Sequence, residues 1–187
     1  MYNPYVVGKR IYLRHPTAAD VEGRWHEWLS DEETTRWLGV QYWPNCVENQ
    51  REYYAKEVRS RGRLVLAIVD IESDRHIGIV SLSGIDWVHG FADIAIIIGE
   101  KEFRTGAYTI EAISLMLRTA FLRLNLRIVK GGYVASNEAT QAIMAVFRFR
   151  EVGRFKKLYW SNGAYADGVV CMLERDDWMR RNGLNAK

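Results

Sequence analysis

Between Arg63 and Gly99 the chain carries three β-branched, apolar stretches joined by only two short turn signals, and this limits its fold more than any other feature. RLVLAIVDI (63–71), HIGIVSLSGIDWV (76–88) and FADIAIIIG (91–99) are separated by ESDR and HG. Strands joined by connections this short pair antiparallel, because a parallel return needs a long crossover. An antiparallel meander is therefore predicted. Helical periodicity follows it: Ile110, Ile113, Leu117, Ala120, Phe121 and Leu124 fall on one face of a helix of about four turns.

On the amino-terminal side, KRIYLR (9–14) alternates like a half-buried strand. Thr17 and Asp20 form a capping-box start for a helix to about Ser30, with Trp25, Trp28 and Leu29 as core positions. A second helix is predicted after Pro44, with Asn45 as cap, running to about Arg59. Beyond the central helix come a strand, RIVKGGYV, a helix from Asn137 to Phe147, and two strands flanking Ser161-Asn162-Gly163, where Asn-Gly signals a hairpin. This order predicts one domain over residues 1–187, of α/β (α+β) class, with a mixed, mostly antiparallel central sheet flanked by helices.

Composition excludes several classes. With 187 residues, 48% apolar and 26% charged, the chain can bury a core and is not a disordered segment. No apolar run approaches membrane-spanning length and Met1 to Arg10 lacks signal-peptide order, so a soluble, cytoplasmic protein is expected. Cys46 and Cys171 stand alone, which predicts ordinary thiols and neither a disulfide nor a metal site. A net charge of +3 without a long basic block predicts no nucleic-acid partner, and Arg154, Lys156 and Lys157 read as the solvated face of a strand.

The segments ADIAIIIGEKEF, RTGAYTIEA, ASNEATQAI and SNGAYADGVVCML, in this order over nearly the whole chain, resemble the GNAT superfamily of acetyl-CoA-dependent N-acetyltransferases. Within it the likeness is to the branch of ribosomal-protein and amino-sugar N-acetyltransferases. The resemblance implies a GNAT-like sheet, acetyl-CoA as co-substrate, and direct attack of a primary amine on the acetyl group. It implies that Arg104, Thr105, Gly106, Ala107, Tyr108 and Thr109 receive the pyrophosphate, since free amides at a helix start stabilise an anion. It implies that Ile96, Ile97 and Ile98 pair with the pantetheine arm, one of their amides facing the thioester carbonyl, and that Asn137 touches the same arm. It places the general base at Asp93, with Glu100 as a second candidate.

Four positions depart from the family pattern. Ala107 and Thr109 stand where the loop usually has glycine, a cost of about 1 kcal/mol if position 107 needs positive φ. Met144 stands where the family carries the tyrosine that protonates the leaving thiolate, and methionine has no proton to give. Water, Tyr133 or Tyr159 is then the expected acid. Arg148 replaces a family glycine.

The aromatic, aperiodic segment TRWLGVQYWP suits an acceptor pocket, with Trp37, Tyr42 and Trp43 lining it or plugging the sheet end. Tyr165 and Asp167 join the acceptor set through the resemblance, although Asp167 beside Gly168 equally suits a bulge. The predicted acceptor is an amino sugar, a protein N-terminus or a small amine, and the branch is compatible with a homodimer. The alternative is a catalytically inactive GNAT-fold protein that binds a ligand or partner in the same cleft.

Overall fold

The computed structural model describes residues 1–58, 60–161 and 163–184. The elements in chain order are β1 (Val6–Val7), β2 (Ile11–Arg14), α1 (Ala18–Glu22), α2 (Trp25–Trp28), α3 (Glu32–Thr35), α4 (Val47–Lys56), β3 (Leu64–Asp70), β4 (His76–Asp86) and β5 (Phe91–Ile98). Then follow α5 (Gly106–Arg118), β6 (Ile128–Val134), α6 (Glu138–Val146), β7 (Arg150–Ser161), β8 (Ala164–Glu174) and α7 (Arg175–Arg181). They build one eight-stranded sheet in the order β1-β2-β3-β4-β5-β6-β8-β7. Every pairing is antiparallel except β5 with β6. The mixed, mostly antiparallel sheet flanked by helices is the predicted class.

Alternation along the strands sends side chains to two cores. Ile11, Leu13, Leu66, Ile68 and Ile94 pack with Ala112, Ile113, Met116 and Leu117 of α5 on one face. Tyr12, Val65, Ala67 and Val69 pack with Val21, Trp25 and Trp28 of α1 and α2 on the other. Glu111 fastens α5 to the sheet edge: its Oε1 accepts from the Arg10 amide at 2.9 Å and from the Lys9 amide.

Several predicted boundaries move. The helix predicted from Thr17 to Ser30 starts on the expected Thr17–Asp20 capping box but breaks at Gly23, whose ψ of −151° is not helical. Cys46, not Asn45, is the cap residue of α4, and Asn45 instead reaches Gln50 Oε1. That helix ends at Lys56; Arg59, its predicted end, lies outside the described residues. The central helix starts earlier than its apolar periodicity, at Gly106, and passes at Thr119 into a wider π turn that ends at Arg123. The last two strands pair up to Ser161↔Ala164 with Gly163 at φ 78°, the expected hairpin, whose Asn162 lies outside the described residues. The sequence reading had no place for α7.

Candidate active site

The site begins where the sheet comes apart. Strands β5 and β6 pair only at Phe91↔Ile128, Ala92↔Val129 and Asp93↔Lys130. Past Asp93 each strand runs on without the other, β5 to Ile98 and β6 to Val134. On β5 the Gly99 amide turns to β4, where it donates to Ile77 O at 2.9 Å, whereas Ile98 O turns away and accepts from Arg104 Nε at 3.1 Å. Strand alternation then directs the Ile97 peptide to β4, where Ile97 pairs with Ile79, and the Ile96 and Ile98 peptides into the gap.

The gap opens into a cleft of about 520 Å³. Ile96, Ile97 and Ile98 form one wall; Thr105, Gly106, Thr109 and Ile110 of the α5 start form a second. Asn137 with one face of α6 forms a third, and Trp37 and Leu38 close an end.

The α5 start shows what conformation this loop takes without the usual glycines. Thr105 is its cap residue, with φ −104° and ψ 153° and no side-chain cap bond. Gly106, Ala107 and Tyr108 are the first three helical residues, so their amides have no acceptor within the helix and remain open to an anion. Ala107 is in the right-handed helix and is not among the residues with positive φ, so the expected strain does not arise. Nothing lies within 4 Å of a Cβ built on Gly106. Thr109 Oγ1 lies 3.3 Å from Thr105 O, to which it donates.

Two side chains of the loop do not turn to the cleft as pyrophosphate ligands. Tyr108 sends its hydroxyl to Asp70 Oδ1 at 3.2 Å and stacks edge-on against Phe103, so of its groups only the amide remains open to an anion. Arg104 lines the rim, but its guanidinium donates to Ile98 O, to Gly99 O at 3.0 Å and to Thr34 Oγ1, which locks the end of β5 to α3. Asn137 is buried, lines the cleft, and caps α6, its Oδ1 accepting from the Thr140 amide at 3.1 Å.

The two carboxylate candidates differ sharply. Asp93 sits at the last paired position before the strands part, half exposed, 3.2 Å from Lys130 Nζ, which also lies over the Phe91 ring. Glu100 is buried, its side chain 4% exposed, and its oxygens accept from Arg24 Nη1 at 2.6 and 2.7 Å, Arg75 Nη2 at 2.9 Å and Trp28 Nε1 at 3.1 Å. A carboxylate with all these donors in place has no lone pair directed at a substrate, so the second-base expectation for Glu100 is corrected to a structural one. Met144 sits over β6: its Cε and Sδ lie 3.0 and 3.5 Å from where a Cβ on Gly131 would stand. Burial, with the nearby Cys171 and Glu151, raises the pKa of the Tyr133 phenol, making it a poorer proton donor.

At the acceptor end, the loop that carries Trp37 reaches the last hairpin. Tyr42 donates its hydroxyl to Trp160 O, and Trp160 meets Tyr165 edge to face at 5.0 Å. Trp43 is 78% exposed and plugs nothing. Asp167 is withdrawn from the rim, since its carboxylate binds Lys156 Nζ at 2.9 Å and the Lys157 amide at 3.0 Å. Those bonds hold the irregular stretch of β7 between Phe155 and Tyr159, the bulge alternative. Trp160, Thr34 and Leu38 were not singled out in the sequence; for Trp160 the Asn-Gly turn beside it was the available signal.

A cleft between parted strands, walled by an uncapped helix start, offers free amides to an anion and an unpaired strand edge along β5 to an extended arm. The family comparison agrees: the acetyltransferase (GNAT) domain model matches residues 10–150, and the chain belongs to the GNAT acetyltransferase family. It is an N-acetyltransferase that draws its acetyl group from acetyl-CoA. A relative is the SPbeta prophage-derived uncharacterized N-acetyltransferase YokL of Bacillus subtilis, 23% identical over 154 residues, 82% of this chain and 85% of YokL. Among solved structures, the spermidine N-acetyltransferase of Vibrio cholerae with CoA and spermine superposes with a TM-score of 0.84 at 19% identity, over 91% of this chain and 98% of that one. A dodecameric form of the spermidine enzyme from that organism superposes at 0.78 and 20% identity, over 92% and 98%. At these identities the superpositions establish the fold.

Proposed function

We propose that this N-acetyltransferase acetylates a small primary amine carried on a ring or similar flat face, as in an amino sugar, with Asp93 as general base. The observation that supports the reading is the parting of β5 and β6 immediately after the Asp93↔Lys130 pair, which makes Asp93 the last paired residue of β5 before the strands separate. Bound acetyl-CoA supplies an activated acetyl thioester. The amides of Gly106, Ala107 and Tyr108 hold its pyrophosphate, the cleft-facing peptides of Ile96 and Ile98 hold the arm and donate to the carbonyl oxygen, and Asn137 borders it.

Attack requires a neutral amine, and Asp93 accepts the ammonium proton through a water, since aspartate is short and Lys130 already occupies one oxygen. Met144 donates no proton to the departing sulfur. Release then relies on the ordinary acidity of an alkyl thiol, about 8.5.

Two features favour a ring-bearing monoamine over a polycation. Trp37 lines the cleft, and Tyr42, from the same loop, joins Trp160 and Tyr165 of the last hairpin. The carboxylate that lines the cleft is taken: Glu33 pairs with Lys101 at 2.6 Å. Exposed Phe155, Leu158 and Trp160 on the outer strand β7 give a homodimer a surface to form on. None of the described helices is long and apolar enough to cross a membrane, in keeping with a cytoplasmic small-molecule enzyme.

The test is acetyl-CoA-dependent thiol release with three acceptor sets: nucleotide amino sugars, short peptides and spermidine. The reading expects turnover with the first, and Asp93→Asn to lower kcat by about 10²- to 10⁴-fold with little change in acetyl-CoA affinity. Preferential turnover of spermidine would overturn the acceptor assignment, and equal losses in kcat and affinity would overturn the role of Asp93. A second reading, a binding module without turnover, rests on Met144 and would show acetyl-CoA binding with every acceptor silent.

A further inference from the structure

Lys130 sets a primary amine of the chain itself on the proposed base. Its Nζ lies 3.2 Å from Asp93 Oδ2 and 4.4 Å from the centre of the Phe91 ring. With no acceptor present, this ammonium occupies the carboxylate that an acceptor's ammonium must reach in the proposed reaction. Its side chain is 35% exposed, against 73% for Lys56 and 63% for Lys101, so unassisted acetylation in solution would strike those two first.

The backbone leaves this amine a path toward the cleft. Asp93 and Lys130 are the last paired residues before β5 and β6 part. Alternation places Ala95 next on the face that carries Asp93, and Gly132 next on the face that carries Lys130. Both are exposed, and a Cβ on Gly132 would meet nothing closer than Val169 O at 3.5 Å. No large side chain therefore stands at these two positions between Lys130 and the parted edges. A lysine stem spans about 6 Å from Cα to Nζ, close to the rise of two strand residues. Turned away from the Phe91 ring, Lys130 brings its amine level with Ala95, one residue short of Ile96 in the cleft wall.

We propose that Lys130 is a self-acetylation site: in the absence of an acceptor, the enzyme transfers one acetyl group to its own Lys130. The inference rests on the reading of the cleft as the acetyl-CoA site and of Asp93 as general base. The Lys130 ammonium gives a proton to Asp93, which passes it to solvent, and the freed amine attacks the thioester carbon. The C–N bond forms, the C–S bond breaks, and the second amine proton leaves with the sulfur as the free thiol of CoA. The product, Nε-acetyllysine, carries no charge, so the modification also removes the ammonium from Asp93.

The experiment is intact-mass spectrometry and peptide mapping of the full chain after incubation with acetyl-CoA and no acceptor, with a urea-unfolded sample as the measure of unassisted acetylation. The folded chain should gain one acetyl group, on Lys130, about tenfold or more above the unfolded rate, while Lys56 and Lys101 stay at the unassisted level. The rate should not depend on protein concentration, as transfer within one chain requires. Lys130→Arg keeps the charge beside Asp93, should melt like wild type, and should gain no acetyl group at this position. Asp93→Asn should slow the gain by about 10²- to 10⁴-fold. Acetyl groups spread over the exposed lysines, a rate that rises with protein concentration, or an unmodified Lys130 in a chain that acetyl-CoA stabilises would overturn this inference and leave the cleft assignment standing. Lys130 acetylated equally fast in Asp93→Asn would support the modification site and overturn Asp93 as the base. A chain neither modified nor stabilised by acetyl-CoA would overturn the cleft assignment and this proposal with it.

Discussion

Replacing Glu100 with glutamine separates a structural carboxylate from a catalytic one. The side chain is 4% exposed, while its partners Arg24 and Arg75 are 59% and 48% exposed. Glutamine keeps the shape and can still accept from Trp28 Nε1, but removes the charge that two guanidiniums face. Breaking a buried ion pair typically costs about 3–5 kcal/mol. Here both arginines keep about half of their surface in water and can resolvate, which reduces the expected loss to about 2 kcal/mol. At about 2–4 °C per kcal/mol for a chain of this length, Tm should fall by about 4–8 °C. Circular-dichroism melts at pH 7.5 measure that shift, and turnover at 25 °C, well below the transition, should remain within about threefold of wild type. An unchanged Tm together with a hundredfold fall in kcat would refute the argument and return Glu100 to the role of base.

The loop makes a prediction opposite to the one its family pattern suggests: because Ala107 is helical, Ala107→Gly should not improve acetyl-CoA affinity and should cost up to about 1 kcal/mol, read by titration and melting. A clear gain in affinity would mean that the turn changes shape on binding. His76 is packed against Trp25 and Trp28, with Nδ1 3.2 Å from Asp20 Oδ1, Nε2 3.0 Å from Gly78 O, and Arg14 on the far side of Asp20. Burial outweighs the attraction of Asp20 and lowers its pKa to about 4. The unfolded chain, with an ordinary value near about 6.5, then binds a proton that the folded chain does not, so stability should be complete above about pH 6.5 and fall toward pH 4. His76→Gln should flatten that slope; stability that rises on acidification through this range would mean that the two acceptors keep the ring charged.

The parts legible in the sequence were those set by neighbours in the chain. The three-strand meander followed from short connections, the Thr17–Asp20 box from its spacing, and the last hairpin from Asn-Gly. Gly23 shows the limit of periodicity, since Trp25 and Trp28 continue the apolar stripe of α1 while the backbone between them leaves the helix. In the site, the α5 start and the Ile96–Ile98 wall were accessible through the family resemblance. The fate of Glu100 was not, because Arg24, Trp28 and Arg75 lie 76, 72 and 25 residues away and only the fold brings them together. Arg104 and Tyr108 likewise carry the residue types expected of ligands but point at Ile98 O and Asp70. Side-chain direction at a loop is decided by packing, which a motif does not encode. Trp160 was hidden for a related reason: its contact is with Tyr42, 118 residues earlier.

The most direct measurement of the central claim, that the parted strands and the α5 start form an acetyl-CoA site, is the melting temperature with and without acetyl-CoA. At about a hundred times Kd the ligand adds about 2.7 kcal/mol to stability. For this chain Tm should then rise by about 5–11 °C, with the rise lost when the anion-binding turn is changed by Gly106→Pro or Thr109→Asp. No shift at millimolar acetyl-CoA, or an equal shift in those variants, would contradict the account.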